Sequence, residues 1–393
     1  MNRPASLPRP LRTDSARRPF AHPGAAAAIR VMIVDDSLTV RTIFKRMVES
    51  DPALVAVGTA SSAEDAIKQL GTSPADVVLL DLEMPGIGGL GALPAILATP
   101  GQPQVLVVSS LTKDGAEHTL AALQMGAADT LAKPRPGGFT EDYRSQLLGK
   151  IRALGSRAVD TAAEPMIVAP ARQDASEPSF VRPGLTRRTW RPQVVGIGAS
   201  TGGIHALGLM LRQLGRDFDV PLLITQHLPG SFIPVFARQI EAAVGRTVDI
   251  ATEGLPLVPG RIVIAPGHGH IVVRRKGSGS GSFGGLVVDV CTKPAASGCV
   301  PSVDPMLSSL AVACEGRALG VILSGMGRDG ALGAKDLVAA GGTIYAQDAD
   351  SSAVWGMPGA VARAGLASMI APPDRLGEAV MAQAAAPPAP AGR

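Results

Sequence analysis

A serine flanked by glycines follows an apolar run in the second half of the chain and could act as a nucleophile. The string Gly-Ala-Ser-Thr-Gly spans 198–202, with Ser200 at its centre, and the apolar run is Val194–Ile197. Glycines on both sides of the serine allow a tight strand–turn–helix connection in which the hydroxyl points out of the strand end. A serine hydroxyl also needs a base. His227 and Asp329 each follow another apolar run, so all three side chains are expected at the carboxyl ends of parallel strands, on one edge of one sheet.

Two other kinds of site fit parts of this region less well. Gly196 and Gly198 resemble the start of a dinucleotide-binding loop, but Thr201 stands where the third glycine of G-x-G-x-x-G belongs. His268 and His270 stand at alternate positions in a short glycine-containing string, a spacing that could suit a metal site. No cysteine or carboxylate cluster lies nearby in the sequence to complete such a site. We interpret these two histidines as loop residues near the cleft.

A second set of polar residues, in the first half of the chain, is suited to binding a divalent cation. Asp35 and Asp36 follow one apolar run, Asp81 follows another, Ser109 ends a third, and Lys133 comes after a shorter one. At the edge of a parallel sheet, converging carboxylates repel one another unless a hard cation such as Mg²⁺ bridges them. The ammonium group offers a point charge to a phosphoryl oxygen. Each acidic residue taken singly could equally be a helix N-cap; the whole set favours a cation and phosphoryl site.

These side chains need two sheets to hold them in place. Short apolar runs alternate with helix-like stretches from residue 30 onward and again from residue 193 onward, which predicts the α/β class. The first domain is predicted to be a doubly wound parallel sheet and the second a mostly parallel α/β domain. Segments rich in Pro, Ala, Ser and Arg flank and separate them. The predicted organisation is a disordered extension over 1–28, a first domain over 29–137, a closing helix and linker over 138–190, a second domain over 191–380 and a disordered tail over 381–393.

Composition narrows the possible classes of protein further. The 393 residues carry a net charge of +4, and only 3% are aromatic, which argues against base stacking and so against a nucleic-acid-binding protein. The three cysteines, Cys291, Cys299 and Cys314, form no CxxC pair and suit a reducing compartment. No apolar run approaches the roughly 18 residues of a membrane-spanning helix. We therefore expect a cytoplasmic monomer with no nucleic-acid partner and no membrane insertion.

The first half of the chain resembles the response-regulator receiver family over about residues 30–136. The resemblance rests on four strings: Val-Asp-Asp-Ser at 34–37, Leu-Asp-Leu-Glu-Met-Pro at 80–85, Val-Ser-Ser at 108–110 and Lys-Pro at 133–134. It implies a flavodoxin-like fold in which Asp81 accepts a phosphoryl group from a histidine kinase, with Ser109 and Lys133 at the family's hydroxyl and lysine positions. The Mg²⁺ ligands that it implies are three carboxylates and one backbone carbonyl: Asp35, Asp36, Asp81 and the carbonyl of Glu83.

The second half resembles the catalytic domain of the CheB-type chemotaxis protein-glutamate methylesterases over roughly 191–375. The resemblance rests on several long strings in the same order and spacing. They are Gly-Ile-Gly-Ala-Ser-Thr-Gly-Gly at 196–203, Thr-Gln-His-Leu-Pro at 225–229, Ala-Pro-Gly at 265–267, Pro-Ser-Val-Asp at 301–304, Ser-Gly-Met-Gly-Arg-Asp-Gly at 324–330 and Gly-Met-Pro at 356–358.

This second resemblance implies a role for each of five residues. Ser200 is the implied nucleophile, His227 the base and then the acid, and Asp329 the group that orients the imidazole. Thr201 is implied to help position His227, and the backbone N–H of Met326 to contribute to the oxyanion hole. The resemblance implies no cofactor for the esterase chemistry.

Four positions depart from the patterns of the two families. Gly88 stands where receivers often have Asp, and Thr130 stands where an aromatic switch residue is common, which bears on how phosphorylation is transmitted. Val300 stands where an Arg is usual, and His268 replaces a frequent Asp. Both of the latter lie outside the catalytic three and bear on substrate docking.

Together, the resemblances imply an enzyme of chemotactic adaptation. A chemotaxis histidine kinase would phosphorylate Asp81, and Ser200 would hydrolyse glutamate γ-methyl esters on methyl-accepting chemoreceptors, releasing methanol, and would deamidate receptor glutamines. Without phosphate, the receiver is expected to pack over the catalytic cleft. The alternatives are a receiver-controlled adaptor that catalyses nothing and a methylesterase of a non-chemotactic receptor pathway.

Overall fold

The computed structural model describes residues 28–110, 112–134, 138–160, 190–215, 217–276 and 285–387. Residues 1–27 of the predicted extension, 161–189 of the predicted linker and 388–393 of the predicted tail lie outside these described residues. Within the described ranges, no helix has both the length and the apolar character needed to cross a membrane.

The first domain is a five-stranded parallel sheet covered on both faces. Its strands are β1 Ile29–Val34, β2 Leu54–Ala60, β3 Val77–Asp81, β4 Gln104–Ser109 and β5 Asp129–Ala132. Its helices are α1 Leu38–Glu49, α2 Ala63–Thr72, α3 Gly88–Leu97, α4 Lys113–Gln124 and α5 Glu141–Asp160. The strand order is β2-β1-β3-β4-β5, and all neighbours are parallel. This order is flavodoxin-like and doubly wound, which confirms the predicted fold class.

The second domain contains a seven-stranded parallel sheet and a small antiparallel one. Its strands are β6 Val194–Ala199, β7 Leu222–Gln226, β8 Val248–Ile250, β9 Leu255–Pro256, β10 Ile262–Ile264, β11 His270–Arg275, β12 Leu286–Cys291, β13 Ala318–Ile322, β14 Thr343–Gln347 and β15 Met369–Ala371. Its helices are α6 Gly203–Leu211, α7 Ile233–Val244, α8 Val303–Ala313, α9 Ala331–Ala339, α10 Met357–Arg363 and α11 Pro373–Ala384, with a short 3₁₀ turn before α7. The large sheet has the order β15-β14-β13-β6-β7-β10-β8, and the small one has the order β11-β12-β9.

The central strands of the large sheet are buried and mostly apolar because both of their faces are covered. Every residue of β6, β7, β13 and β14 is buried, as continuous apolar runs predict for a parallel sheet. Glycines in β6 let α8 approach closely: a Cβ atom on Gly198 would lie 2.5 Å from Cγ1 of Val303, the first residue of α8. The close approach brings the N-terminus of α8 to the carboxyl edge of the sheet.

Three short strands were not predicted from the sequence. β8, β9 and β15 have only two or three residues each and lie at the edges of their sheets. Strands of that length give no recognisable apolar run, so periodicity does not reveal them.

The two domains are packed against each other through α4 of the first domain and α6 and α7 of the second. Leu120 and Leu123 on α4 belong to the same buried apolar cluster as Ile204 and Leu207 on α6 and Phe232 just before α7. A continuous apolar cluster across the boundary means that the first domain covers the start of α6, where the predicted nucleophile lies.

Candidate active site

Ser200 lies in the turn between β6 and α6, at the carboxyl edge of the large sheet. Its N–H donates to the carbonyl of Ser324 at 3.0 Å, and its own carbonyl accepts from the N–H of Gly203 at 2.8 Å. Gly202 has a φ of 75°, and a Cβ atom there would lie 2.5 Å from Cβ of Ala353. The last glycine of the string is therefore required by both backbone conformation and space.

The three predicted catalytic side chains meet in one hydrogen-bonded chain. Nδ1 of His227, just after β7, lies 3.1 Å from Oγ of Ser200, and Nε2 lies 2.8 Å from Oδ2 of Asp329, in the loop after β13. The three strands concerned are neighbours in the sheet, in the order β13-β6-β7. When Nε2 carries a proton that it donates to Asp329, Nδ1 can accept the serine proton, which is the arrangement that general-base catalysis requires.

The carboxylate of Asp329 is buried at the N-terminus of α8. Its oxygens accept hydrogen bonds from Oγ of Ser302 at 2.6 Å, from the N–H of Val303 at 2.7 Å and from the N–H of Asp304 at 3.4 Å. The carboxylate thus satisfies amides at the helix start, where the helix dipole favours negative charge. Burial raises the pKa of this carboxyl, but hydrogen bonds from His227, Ser302 and Val303 outweigh burial and hold its pKa well below the usual range. Asp329 therefore stays ionised.

Two residues that sequence reasoning did not assign to the site hold this carboxylate in place. Ser302 donates its hydroxyl to Asp329 and its backbone N–H to Nδ1 of His270 at 2.8 Å. His270 in turn lies with Nε2 3.0 Å from the carbonyl of Lys293 and is buried. The interpretation of His270 as a loop residue was wrong, since it is the first residue of β11. A serine directly before a helix usually caps that helix, which is why the sequence gives no sign that the Ser302 hydroxyl bonds Asp329 instead.

Burial and hydrogen bonding act in opposite directions on His227. Desolvation lowers the pKa of the imidazolium, whereas hydrogen bonds with Asp329 and Cys299 raise it, and the balance raises the pKa to about 9. Below that pH, both ring nitrogens carry protons, and Nδ1 cannot accept the proton of Ser200. Cys299 is half-buried, and its place beside the imidazole was not foreseen from the sequence.

Residues of the first domain bind the turn that carries Ser200, the predicted nucleophile. Oγ1 of Thr201 donates to Oδ2 of Asp129 at 2.5 Å, and the N–H of Gly202 donates to the carbonyl of Ala128 at 2.5 Å. Asp129 is itself paired with Lys150 of α5 at 2.5 Å. A carboxylate and a carbonyl of the first domain therefore occupy donors at the start of α6.

The contact between the domains continues along α4 and leaves almost no space beside Ser200. Nδ1 of His205 on α6 lies 2.9 Å from the carbonyl of Gln124, and Arg238 on α7 pairs with Glu117 at 3.2 Å. The cavity that remains at Ser200 between the domains measures about 10 Å³. Such a space holds one water molecule at most. The first domain thus fills the space beside Ser200 that a substrate side chain would need, while Ser200 itself keeps part of its surface exposed.

The two predicted supporting residues have different surroundings in this closed arrangement. The Thr201 hydroxyl donates to Asp129 of the first domain, not to His227. Met326 lies in the loop after β13 and is 45% exposed. Their roles toward the imidazole and the oxyanion stay predictions. Val300 and His268, the two departures from the family pattern in the second domain, are both exposed. Neither is one of the three predicted catalytic residues.

The predicted phosphorylation pocket lies at the carboxyl edge of the first sheet. Asp81 ends β3 and is buried, and Nζ of Lys133 lies 2.6 Å from its Oδ2 and 2.9 Å from Oδ2 of Asp35. Burial raises the pKa of the Asp81 carboxyl above its usual value, although the Lys133 ammonium and the N–H of Glu83 act in the opposite direction. The pocket thus brings the predicted acceptor, one further carboxylate and the predicted cation together.

Three carboxylates in this pocket fit a bound Mg²⁺. Oxygens of Asp35, Asp36 and Asp81 lie within 4.8 Å of one another. Hard oxygen donors of this kind suit Mg²⁺, which keeps several waters and binds through a few carboxylates and phosphate oxygens. The fourth predicted ligand, the carbonyl of Glu83, stays a prediction.

Ser109, at the end of β4, is hydrogen-bonded to α4. Its Oγ lies 2.5 Å from Oγ1 of Thr119, and Oγ1 of Thr119 lies 2.6 Å from the carbonyl of Gly115, to which it donates. Because Thr119 uses its only proton on that carbonyl, Ser109 is the donor in the pair. Thr119 is buried, and no spacing in the sequence singled it out.

The two departures from the receiver pattern, Gly88 and Thr130, lie in regular elements. Gly88 is the first residue of α3 and has a φ of 65°, and Thr130 lies on β5.

A pH dependence of Ser200 reactivity follows from the raised pKa of His227. Only the neutral imidazole can accept the serine proton, so the rate at which a fluorophosphonate probe modifies Ser200 in the unphosphorylated chain should rise with pH, with a midpoint near 9. Mass spectrometry of the labelled peptide gives the rate. The His227→Gln variant should react slowly and show no such midpoint. A rate that stays level or falls as pH rises through this range would contradict the proposed proton transfer.

Comparison with known proteins agrees with this arrangement of domains. The CheB methylesterase family profile matches residues 195–380, and the response regulator receiver domain profile matches residues 31–139. A Caulobacter vibrioides protein named protein-glutamate methylesterase/protein-glutamine glutaminase 2 is 41% identical over 358 residues, covering 91% of this chain and 99% of that protein. A Rhodopseudomonas palustris protein named protein-glutamate methylesterase/protein-glutamine glutaminase is 38% identical over 365 residues, covering 89% of this chain and 92% of that protein.

Two solved structures match the two halves separately. The crystal structure of the Thermotoga maritima CheB methylesterase catalytic domain is 30% identical, covers 48% of this chain and 97% of its own, and has a TM-score of 0.45. That of the response regulator domain of Thermotoga maritima CheB is 37% identical, covers 32% of this chain and 94% of its own, and has a TM-score of 0.29. Since a 41% identical relative spans nearly all of both chains and the two profiles match in succession, this chain belongs to the CheB methylesterase family, with a receiver domain ahead of the catalytic domain.

Proposed function

We propose that this chain is a phosphorylation-activated protein-glutamate methylesterase that acts on methyl-accepting chemoreceptors and also deamidates receptor glutamines. The observation that carries the proposal is the chain of hydrogen bonds from Ser200 through His227 to Asp329, with distances of 3.1 and 2.8 Å. The names of the Caulobacter and Rhodopseudomonas relatives support the substrate class. The reaction would serve signal adaptation in chemotaxis.

In the first half of the reaction, Ser200 becomes acylated. Neutral His227 takes the hydroxyl proton on Nδ1 while Oγ attacks the ester carbonyl carbon of the methylated glutamate. Asp329 stays ionised and stabilises the imidazolium that forms. The imidazolium then returns the proton to the leaving methoxide, the C–O bond to methanol breaks, and a glutamyl ester of Ser200 remains.

Water completes the second half of the reaction. His227 takes a proton from a water molecule as it attacks the glutamyl ester, and then gives that proton to Oγ of Ser200. The products are a free glutamate and the original serine. A glutamine side chain passes through the same steps with ammonia as the leaving group. The N-terminus of α6 and the predicted N–H of Met326 are the donors suited to the oxyanion in both halves.

The closed domain contact supports regulation by the receiver. In the resting arrangement, Asp129 and Ala128 bind the two residues after the nucleophile, and the space beside Ser200 measures about 10 Å³. Receptors therefore reach Ser200 only when this contact opens. We propose that a chemotaxis histidine kinase phosphorylates Asp81 and thereby favours the open arrangement. Bound by Asp35, Asp36 and Asp81, Mg²⁺ would offset the charge of the incoming phosphoryl group.

A hydrogen-bonded route supports communication from Asp81 to the domain contact. Ser109 has one proton and gives it to Thr119 on α4. If the Ser109 hydroxyl turns to donate to a phosphoryl oxygen on Asp81, Thr119 loses this donor, and α4 is the helix that carries Gln124 and the apolar contact with α6. This route does not need an aromatic side chain at the position of Thr130.

A non-catalytic adaptor is the less favoured candidate, because an adaptor has no need for a serine, an imidazole and an ionised carboxylate in one hydrogen-bonded chain. A methylesterase of a non-chemotactic receptor pathway would have the same site, and only its receptors would differ. The proposed kinase and receptor partners would place the enzyme in the cytoplasm, and we propose that it acts there as a monomer, without nucleic acid.

Removing the nucleophile tests the enzymatic proposal. Ser200→Ala should lower methanol release from methylated receptor by about 10⁴-fold or more, since loss of a catalytic serine removes the covalent route. Ser308→Ala is the matched control, because Ser308 lies on α8 and bonds Asp336, away from the site; it should retain the rate of the unaltered chain. Appreciable turnover by a folded Ser200→Ala protein would exclude Ser200 as the nucleophile.

Removing the interdomain acceptor tests the regulatory proposal. Asp129→Ala takes away the partner of Thr201, and a hydrogen bond to a charged group contributes about 1.5–3 kcal/mol, so basal methanol release without phosphodonor should rise by roughly 10–100-fold. The control is Asp142→Ala, an exposed carboxylate at the start of α5, which should leave the basal rate unchanged. An unchanged basal rate in folded Asp129→Ala would show that this contact does not restrain the enzyme.

A further inference from the structure

Cys299 lies beside the catalytic imidazole, and the proposed reaction does not use it. Its thiol sulfur, a ring nitrogen of His227 and a carboxylate oxygen of Asp329 all lie within 4.8 Å of one another. This is one of two such groups among the residues that the structure describes, and the other, in the receiver, has only carboxylates. A nitrogen, a sulfur and an oxygen donor together form a ligand set that zinc prefers and that Mg²⁺ does not.

We propose that His227, Cys299 and Asp329 form an inhibitory Zn²⁺ site, a form of control that rests on the proposed role of these residues in ester hydrolysis. Three protein ligands leave the fourth position of a tetrahedral zinc to water. Asp329 is already fixed by donors at the start of α8, from Ser302 directly before the helix and from Val303, so one ligand is held in place before the metal arrives.

The ring orientation explains why the metal would stop catalysis. Nε2 of His227 faces Asp329 at 2.8 Å, and Nδ1 faces Ser200 at 3.1 Å. Zinc shared with the carboxylate binds through Nε2, in place of the proton there, and the Cys299 thiol releases its proton to solvent. The remaining ring proton is then on Nδ1, directed at Oγ of Ser200. A nitrogen that carries this proton cannot accept another from the serine.

The metal can reach this site without opening of the domains. Cys299 is partly exposed, and Val300 beside it is 54% exposed. The receiver closes the Ser200 side of the imidazole, where the cavity is about 10 Å³, whereas Cys299 lies on a loop of the catalytic domain between β12 and α8. Zinc would therefore inhibit the resting and the phosphorylated enzyme alike, which separates this control from that exerted through Asp81.

Binding is tested on the full chain, reduced and freed of metals, by calorimetric titration with ZnCl₂ and by absorption after addition of Co²⁺. We expect a site with a thiolate–cobalt charge-transfer band, which carboxylates of the receiver cannot give. Cys299→Ser should remove the band and weaken zinc binding at this site by at least the roughly 10–100-fold that loss of a supporting group costs. Cys291→Ser is the matched control, since Cys291 is likewise half-buried and lies outside the group; it should leave the band and the binding unchanged.

A measurement on the unaltered chain makes the test independent of how the variants fold. One equivalent of zinc should slow alkylation of Cys299 by iodoacetamide, read by mass spectrometry, and should not slow alkylation of Cys291. In parallel, zinc should suppress methanol release, and a chelator should restore it. Equal alkylation of Cys299 with and without zinc, or a thiolate–cobalt band that persists in Cys299→Ser, would overturn the proposal. Cys299-dependent zinc binding in a chain that releases no methanol would support the site and refute the proposed esterase.

Discussion

The three-residue turn after β6, residues 200–202, contacts the imidazole of His227 on one side and the receiver on the other, and most of the site depends on it. Ser200 faces the imidazole of His227, while Thr201 and Gly202 donate to the receiver at 2.5 Å each. The turn can do this because Gly202 accepts a φ of 75° in a space with no room for a side chain. The donors that the receiver occupies lie at the N-terminus of α6, the same end that suits an oxyanion. In the proposed mechanism, the receiver would therefore compete with the substrate for the surroundings of Ser200, and it would close the site without distorting Ser200, His227 or Asp329.

Two buried aspartates, one in each domain, show how the surroundings of a carboxyl set its pKa and therefore its charge. Asp329 lies at the start of α8 and accepts from a hydroxyl, two backbone amides and the imidazole, and its pKa is held far below the ordinary value despite burial. Asp81 is as deeply buried, and there burial raises the pKa of the carboxyl, with a further contribution from the neighbouring Asp35, even though both carboxylates share Lys133. The first carboxylate is therefore a fixed charge that supports an imidazolium. At Asp81, positive charge from Lys133 or from a metal ion has a large effect on the pKa of the carboxyl.

The sequence predicts the two α/β folds and the catalytic edge because continuous apolar runs end at polar residues, and the carboxyl ends of parallel strands share an edge. It could not predict what depends on tertiary packing. The acceptor of the Thr201 hydroxyl, Asp129, comes from the other domain, and no local pattern marks it. Ser302 and Thr119 use their hydroxyls on partners far away or on another helix turn, where the sequence suggests an ordinary cap or an ordinary helix residue. The short edge strands β8, β9 and β15 could not be predicted for a different reason, since two or three residues are too few to show a periodic pattern.

We propose that the receiver closes the cleft over Ser200 and that phosphorylation of Asp81 opens it. The most direct measurement is the rate at which a fluorophosphonate modifies Ser200 in the full chain at one pH, with and without a small phosphodonor and Mg²⁺, in the unaltered chain and in Asp81→Asn. Phosphorylation is verified by intact mass. We expect a faster rate in the phosphorylated chain, and no change when the phosphodonor is added to Asp81→Asn. Equal rates in the phosphorylated and unphosphorylated forms of the unaltered chain would contradict it.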